Sequence, residues 1–484
     1  MKIETAFSSL SGSLSVPGSK SHTIRACIFA ALAEGVSHIR NPLASEDCLS
    51  CVSSIRELGA EVKMTSVKVT SVNSTSVNST SAEPAPGVWT IRGAGSRLHL
   101  PENIVDVGNS GSVLYFLAPV AAVFDGYSVF TGDASIRTRP VMHMADALIQ
   151  LGAECVPTRP GVNAPPLVIK GRMKPGRVVT SGTLSQYVSG IMIAASLMEG
   201  RTEIELTAPG ETPYLKMTAD WLRSLGTELS VDDENWRHIT VTGPNRFPAF
   251  DRTIPSDWEG AAFPLLAALI TDSVLEIENI DCSGSQGDAV IVDLLKCMGA
   301  DLELDESAAR LTVRGGNMAR GELARGETSG PYRGRLRGIS ADCSSIPDAV
   351  PALATLACFC EGETLLTNIG VCRHKETDRI ALMCRELSRL GAQISEGEDF
   401  LRIRGHDRRD PRFTLHGASV DCCRDHRVAM SLACAGLGIK NGSVSISDAE
   451  CCNVSFPGFF ETMESVEAKF SFFDEFDENG DNNG

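Results

Sequence analysis

The sequence predicts an α/β protein of two homologous halves, each built from three units of alternating helix and strand. Two observations carry this expectation. First, a short motif recurs where an apolar helical pattern stops and a strand pattern begins: Leu58-Gly59-Ala60, Leu151-Gly152-Ala153, Leu225-Gly226-Thr227, Met298-Gly299-Ala300 and Leu390-Gly391-Ala392. In each copy the glycine is expected to end a helix in the left-handed conformation and turn the chain into a strand. A sixth, degraded copy stands at Val466-Glu467-Ala468. Second, the spacing of the copies is patterned. A long interval (Gly59 to Gly152) is followed by a short one (Gly152 to Gly226), and the same succession returns from Gly299 through Gly391 to Glu467. The period is too long for a solenoid, so two globular domains are expected.

The halves are expected to meet near Thr253–Ser256, where Pro255 interrupts a polar stretch ahead of the apolar Ala261–Thr271. A second joint is read at Pro17-Gly18, which assigns the N-terminal strand to the C-terminal half. The first domain is thus taken as residues 19–253, and the second as 1–18 together with 254–471. Three segments look like excursions. Residues 65–86, with Ser-Val-Asn-Ser-Thr repeated, read as a low-complexity surface loop; 315–338, rich in Gly and Arg, as a flexible insert; and 472–484 as an acidic disordered tail.

Bulk properties narrow the function. The chain has 484 residues, 43% of them hydrophobic, long enough for two large domains. A formal net charge of −17 argues against nucleic acid or an anionic membrane as the main partner, so any anion-binding residues must be gathered locally. No apolar run reaches the length of a membrane span, and the first residues lack the apolar core of a signal peptide, so a cytoplasmic protein is expected. Of the sixteen cysteines, Cys48 and Cys51 form one CxxC, with no second pair at zinc-site spacing. Most are read as buried thiols acting as small hydrophobes.

Five helix starts along the chain carry polar groups that a fold alone does not need. Pro17-Gly18-Ser19-Lys20-Ser21-His22-Thr23-Ile24-Arg25 runs into an apolar helix ending near Gly35. Gly108-Asn109-Ser110-Gly111-Ser112 precedes Val113–Val123, and Ser345-Ile346-Pro347-Asp348 precedes Ala349–Phe359. Arg373–Arg379 follows a strand-like run and precedes Ile380, Met383, Leu387 and Leu390 at helical spacing, with Thr377 read as the N-cap. Asp425-His426-Arg427 precedes Val428–Leu437. Helix N-termini already present free N–H groups and a positive dipole, so Lys and Arg there stack positive on positive unless an anion sits in front. The starts describe a site lined by helix dipoles together with Lys20, Arg25, Arg139, Lys375, Arg379 and Arg427, suited to substrates of several negative charges. Ordinary caps, and for Arg427 an internal ion pair, are the plainer reading of each start taken alone.

These residues, with Thr131-Gly132-Asp133, Arg139-Pro140, Ser185-Gln186 and Pro213-Tyr214, occur in the order and approximate spacing of the 5-enolpyruvylshikimate-3-phosphate synthase family, which the chain resembles from about residue 3 to 470. The resemblance implies the enolpyruvyl transferase fold: two similar domains of three βαβαββ-type units, an inside-out α/β barrel, with the active site between them. It implies transfer of the enolpyruvyl group of phosphoenolpyruvate to the 5-hydroxyl of shikimate 3-phosphate with release of phosphate, in aromatic amino acid biosynthesis. No metal or cofactor is implied, and the chain is expected to act as a monomer. Carried over position by position, Asp348 is the base at the 5-hydroxyl, and Glu376 handles the proton at the methylene carbon. Lys20 touches both substrates and assists proton transfer. Ser21, Arg25, Ser185, Gln186, Tyr214 and Lys375, with Lys20 and Asp348, take shikimate 3-phosphate. Asn109, Gly111, Arg139, Gln186, Arg379 and Arg427, with Lys20, take phosphoenolpyruvate.

The chain departs from the family pattern at Leu184 and Glu211, where serines bind the acceptor phosphate, at Val371 and Val454, where Asn and Lys are common, and at Tyr115, which replaces an Arg. The acid–base residues are intact while the acceptor-phosphate contacts are thinned. Divergence within the family accounts for this most simply. A different hydroxylated acceptor, or a non-catalytic binding paralogue, are the alternatives.

Overall fold

The computed structural model describes residues 1–68, 84–232, 235–319 and 335–473. They fall into two compact units, residues 17–255 and residues 1–16 with 256–484. The described strands form six four-stranded sheets, all built one way. In one, Arg177–Thr180 runs parallel to Gly200–Leu206, which pairs antiparallel with His238–Gly243, itself antiparallel to Glu228–Val231. Two helices fill the crossovers, giving the order βαβαββ.

In the unit 17–255 the helices are α1 (Lys20–Leu32) and α2 (Glu46–Glu57), α3 (Gly111–Ala121) and α4 (Met142–Gln150), and α5 (Ser185–Ala195) and α6 (Thr212–Ser224). In the other they are α7 (Trp258–Ile270) and α8 (Ile291–Cys297), α9 (Val350–Ala357) and α10 (Arg379–Arg389), and α11 (His426–Gly438) and α12 (Phe459–Glu464). The first helix of each pair is buried on nearly every side: α3, α5, α7, α9 and α11 show almost no polar face, and α1 is buried from His22 onward. A helix apolar all round must lie inside, and α7, α9 and α11 pack on one another. The second helices are amphipathic, as α6 and α10 are, and cover the outside. The chemistry-bearing residues sit where helices begin, at the inward α1, α3, α5, α9 and α11 and also at the outward α6 and α10.

Three sheets are closed by a strand from far along the chain, one in the unit 17–255 and two in the other. Asp251–Thr253 joins Gly35–Arg40 in parallel, and Lys2–Ala6 pairs with both Val444–Ser447 and Lys469–Phe473. Ser11–Ser15 likewise lies parallel to Val274–Glu278.

All five motif glycines have left-handed backbone, with φ between +90° and +100°, and Glu467 in the degraded copy takes φ +76°. A glutamate held in that region shows how strongly the repeat specifies the turn.

Three expectations need correction. Residues 65–68 and 84–86 are not loop but the ends of strands Glu61–Lys68 and Pro84–Gly93, which pair antiparallel; 69–83 lie outside the described residues. The start of the Gly/Arg-rich insert is packed, since a Cβ on Gly315 would lie 1.8 Å from the Ala268 carbonyl oxygen and Asn317 N–H donates to Asp272; 320–334 lie outside the described residues. Phe472 and Phe473, assigned to the tail, pair with Ile3 and Lys2. Phe472 also stacks edge-on against Phe460, and aromatic residues favour such pleated surfaces; 474–484 lie outside the described residues.

Candidate active site

In the unit 17–255, Ser19 caps α1 and Lys20 is the first helical residue. The Lys20 ammonium lies 3.4 Å from Asp47, a buried carboxylate in the first turn of α2. One turn into α1, Arg25 is buried and ties α1 to α6: Nε donates to Thr218 Oγ1 (2.9 Å), Nη1 to the Ser21 carbonyl (3.0 Å) and Nη2 to the Tyr214 carbonyl (3.1 Å). Its guanidinium also lies over the Phe116 ring. Burial pushes its pKa down to about 9, with Tyr214 opposing the shift. Arg25 therefore fixes the backbone that carries Ser21 and Tyr214.

A second cluster gathers at the start of α3. Ser110 caps this helix, and Asn109 Nδ2 instead donates to Asp133 at 2.7 Å. Gly111 lies at a close approach: a Cβ there would lie 2.3 Å from Arg139 Nη1 and 3.7 Å from Gln186 Oε1. Gln186 is held from behind by Ser112 Oγ (3.0 Å). The sequence-predicted residues Gly111, Arg139 and Gln186 are thus brought into one place.

In the other unit the chemistry centres on Arg379, which is fully buried. Its Nη1 donates to Asp348 (2.6 Å), its Nη2 to Glu376 (2.5 Å) and its Nε to Asp425 (2.9 Å). Burial opposes the charge, but Asp425, Glu376 and Asp348 more than offset it and hold the group well above the ordinary arginine value. Asp348 sits in the short turn Pro347–Ala349 that leads into α9. Its other oxygen lies 3.6 Å from Lys375 Nζ, while Arg427 Nε lies 3.2 Å from the oxygen that Arg379 holds. Arg427 also pairs with the buried Glu259 in the first turn of α7.

The expectation for the charged helix starts changes here. Positive charges at these helix starts do not stand alone facing an absent anion. Lys375, Arg379 and Arg427 are matched inside the unit by Asp348, Glu376, Asp425 and Glu259. Asp378, not Thr377, caps α10, accepting from Ala381 N–H at 3.0 Å. Arg373 grips Asp378 at 2.6 Å, while the Thr377 hydroxyl turns to Asp425. Such a cluster brings two carboxyl groups and three cations to one place, the groups that general acid–base and electrostatic catalysis use.

Asp47, Glu259 and Asp425 were absent from the sequence-predicted site residues. Asp425 lies within a motif that sequence reading singles out. The other two lie in helix first turns, where acids are common for dipole reasons alone.

The departures from the family pattern also have places. Leu184 is the N-cap of α5 and offers it no hydrogen bond, while Glu211 is buried and turned onto Ser185. The Tyr115 hydroxyl donates to the Pro140 carbonyl at 2.7 Å. Val371 and Val454 lie in short 3-10 turns. Among the described residues, no group of three or more His, Cys, Asp or Glu could hold a metal ion, and no helix is long and apolar enough to cross a membrane.

Comparison with known proteins sets these features in context. The family model for EPSP synthase (3-phosphoshikimate 1-carboxyvinyltransferase) matches residues 5–463. A 3-phosphoshikimate 1-carboxyvinyltransferase of Ruminiclostridium cellulolyticum is 38% identical over 469 residues, covering 97% of this chain and 99% of that protein. One from Methanococcus maripaludis is 35% identical over 461 residues, covering 94% and 96%. Among solved structures, EPSP synthase from Acinetobacter baumannii superposes with a TM-score of 0.74 at 26% identity, covering 97% of this chain and all of that one. The enolpyruvyl transferase NikO from Streptomyces tendae shares the fold, with a TM-score of 0.71 at 18% identity and coverage of 97% and 98%.

Proposed function

The chain belongs to the EPSP synthase (3-phosphoshikimate 1-carboxyvinyltransferase) family, and from that premise we infer that it transfers the enolpyruvyl group of phosphoenolpyruvate to the 5-hydroxyl of shikimate 3-phosphate, releasing phosphate. The observation that carries the reading is the buried guanidinium of Arg379 holding Asp348 and Glu376 at 2.6 and 2.5 Å. One cation thereby keeps two carboxylates poised side by side, an arrangement a mere binding protein has no use for.

In this reading Asp348 takes the proton of the acceptor 5-hydroxyl as its oxygen bonds to C2 of phosphoenolpyruvate, while the methylene carbon gains a proton. The tetrahedral adduct then loses a proton from that carbon as the C–O bond to phosphate breaks. Glu376 handles both transfers at carbon, with Lys20 assisting. Developing negative charge is met by Arg139, Arg379 and Arg427, which are buried and so act with little screening by water. Lys375, Ser21, Ser185, Gln186, Tyr214 and Arg25 serve the acceptor; Asn109, Gly111 and Gln186 serve phosphoenolpyruvate. Both sets of residues act in one reaction, in a cytoplasmic monomer of the shikimate pathway. Incubation with both substrates should yield the carboxyvinyl ether, detected by mass spectrometry, in equal amount to phosphate; binding of both without product would refute the reading.

A second reading, an enolpyruvyl transferase for another hydroxylated acceptor, draws support from one observation: Glu211 occupies donors on Ser185 that an acceptor phosphate would use.

A further inference from the structure

Helix α5 begins without a cap of its own. Its N-cap residue, Leu184, has no side-chain acceptor, so the positive end of the helix must be satisfied from elsewhere. The group that does so is Glu211, the residue just ahead of α6. Its Oε2 accepts from Ser185 N–H at 3.0 Å and from Ser185 Oγ at 2.9 Å.

Three features show that this placement is built in. Glu211 is only 4% exposed, although a carboxylate is costly to bury. Its backbone is left-handed, with φ +47°, a conformation that side chains of this kind avoid. The preceding Gly210 lies so close to the 183 loop that a Cβ would come within 2.5 Å of the Thr183 carbonyl oxygen, and its N–H donates to Gly182. Close packing, strain and burial converge on bringing one carboxylate to Ser185.

Resting on the function proposed above, which gives Ser185 to the acceptor, we propose that Glu211 is a specificity-determining residue. It is a resident carboxylate on the Ser185 donors, and an anionic group of the acceptor binds there only by displacing it. A carboxylate and a phosphate cannot share one N–H and one hydroxyl at hydrogen-bond distance without strong like-charge repulsion. The displacement weakens acceptor binding and leaves phosphoenolpyruvate binding largely alone. A carboxylate that served only as a helix cap would lack this asymmetry, because its loss would loosen the fold without favouring one substrate.

The test is steady-state kinetics of the full chain and its Glu211→Ser and Glu211→Gln variants, with KM measured separately for shikimate 3-phosphate and phosphoenolpyruvate. Glu211→Ser is expected to lower the acceptor KM by roughly tenfold, the factor expected from losing one competing interaction. Glu211→Gln, uncharged but still able to occupy the position, should lower it by less. The KM for phosphoenolpyruvate should move by far smaller factors. An acceptor KM unchanged or raised in both variants overturns the proposal; if Glu211→Ser fails to fold, Glu211→Gln decides alone. If the unaltered chain turns over no shikimate 3-phosphate, the functional reading fails separately. Calorimetric titration with shikimate 3-phosphate then decides on Glu211: tighter binding by the variants supports the proposal, and unchanged binding overturns it.

Discussion

Asp425 and Arg379 are both fully buried and meet at 2.9 Å between carboxylate oxygen and Nε. The same carboxylate caps α11 by accepting from Arg427 and Val428 N–H groups, and it also receives the Thr377 hydroxyl. One side chain thus joins the first residue of α10 to the start of α11, and so sets Arg379 against Asp348 and Glu376. Asp425→Asn keeps the cap but removes a charge facing a guanidinium that cannot reach water. We expect a loss of about 3 kcal/mol, the low end for breaking a buried pair because two carboxylates remain. Urea unfolding checks this, and a change under about 1 kcal/mol would show that the pair is dispensable.

Glu376 is assigned to the proton at the methylene carbon. In D2O, with both substrates present, the unaltered chain should incorporate deuterium at that carbon. Glu376→Gln should slow incorporation by about 10²–10⁴, the usual loss on removing an acid–base group. Incorporation at the original rate, followed by NMR, would move the role to another residue.

How much of this was readable in advance differs by kind of feature. The glycine turns were legible because a left-handed cap leaves a local signature, and Gly59, Gly152, Gly226, Gly299 and Gly391 all adopt it. The inward helices were legible from apolar runs such as 261–270. The α10 cap is ambiguous in sequence because Thr377 and Asp378 are both good caps; in the fold the Thr377 hydroxyl goes to the sequence-distant Asp425, and Asp378 takes the Ala381 N–H. Asp47 and Glu259 were missed because their partners are distant in sequence, Lys20 for one and Arg427 for the other. Beyond the internal ion pair that the position of Arg427 suggests, the matching of cations by carboxylates is invisible until the helices are packed.

Gly111 makes room for Arg139. Gly111→Ala would place a methyl 2.3 Å from Nη1 at the far end of a long side chain, which can shift rather than clash. Arg139 should move by about an ångström, raising the KM for phosphoenolpyruvate by roughly tenfold with little loss of stability, since small misplacements of a clamp are costly to binding. Kinetics alongside a thermal melt test it; an equal rise in the acceptor KM would point to a general distortion of α3.

The cysteines should divide by burial. Cys282, Cys297 and Cys423 are exposed, whereas Cys358, for one, is pushed up to about 12 by burial. A disulfide dye at pH 8 should label those three in the folded protein, Cys282 and Cys423 more slowly because partial burial raises their thiol pKa, and the buried thiols only on unfolding. A thiol whose folded pKa is raised favours the folded state fully below its unfolded value near 9. That contribution is lost as pH climbs from there toward 12, so stability should fall across this window.

The central claim is that this chain moves the enolpyruvyl group onto shikimate 3-phosphate. Phosphate release from phosphoenolpyruvate, measured with and without shikimate 3-phosphate, tests it most directly. The structure predicts release only when both are present, and an Asp348→Ala rate lower by about 10²–10⁴. Release that ignores shikimate 3-phosphate, or that survives Asp348→Ala undiminished, would contradict it.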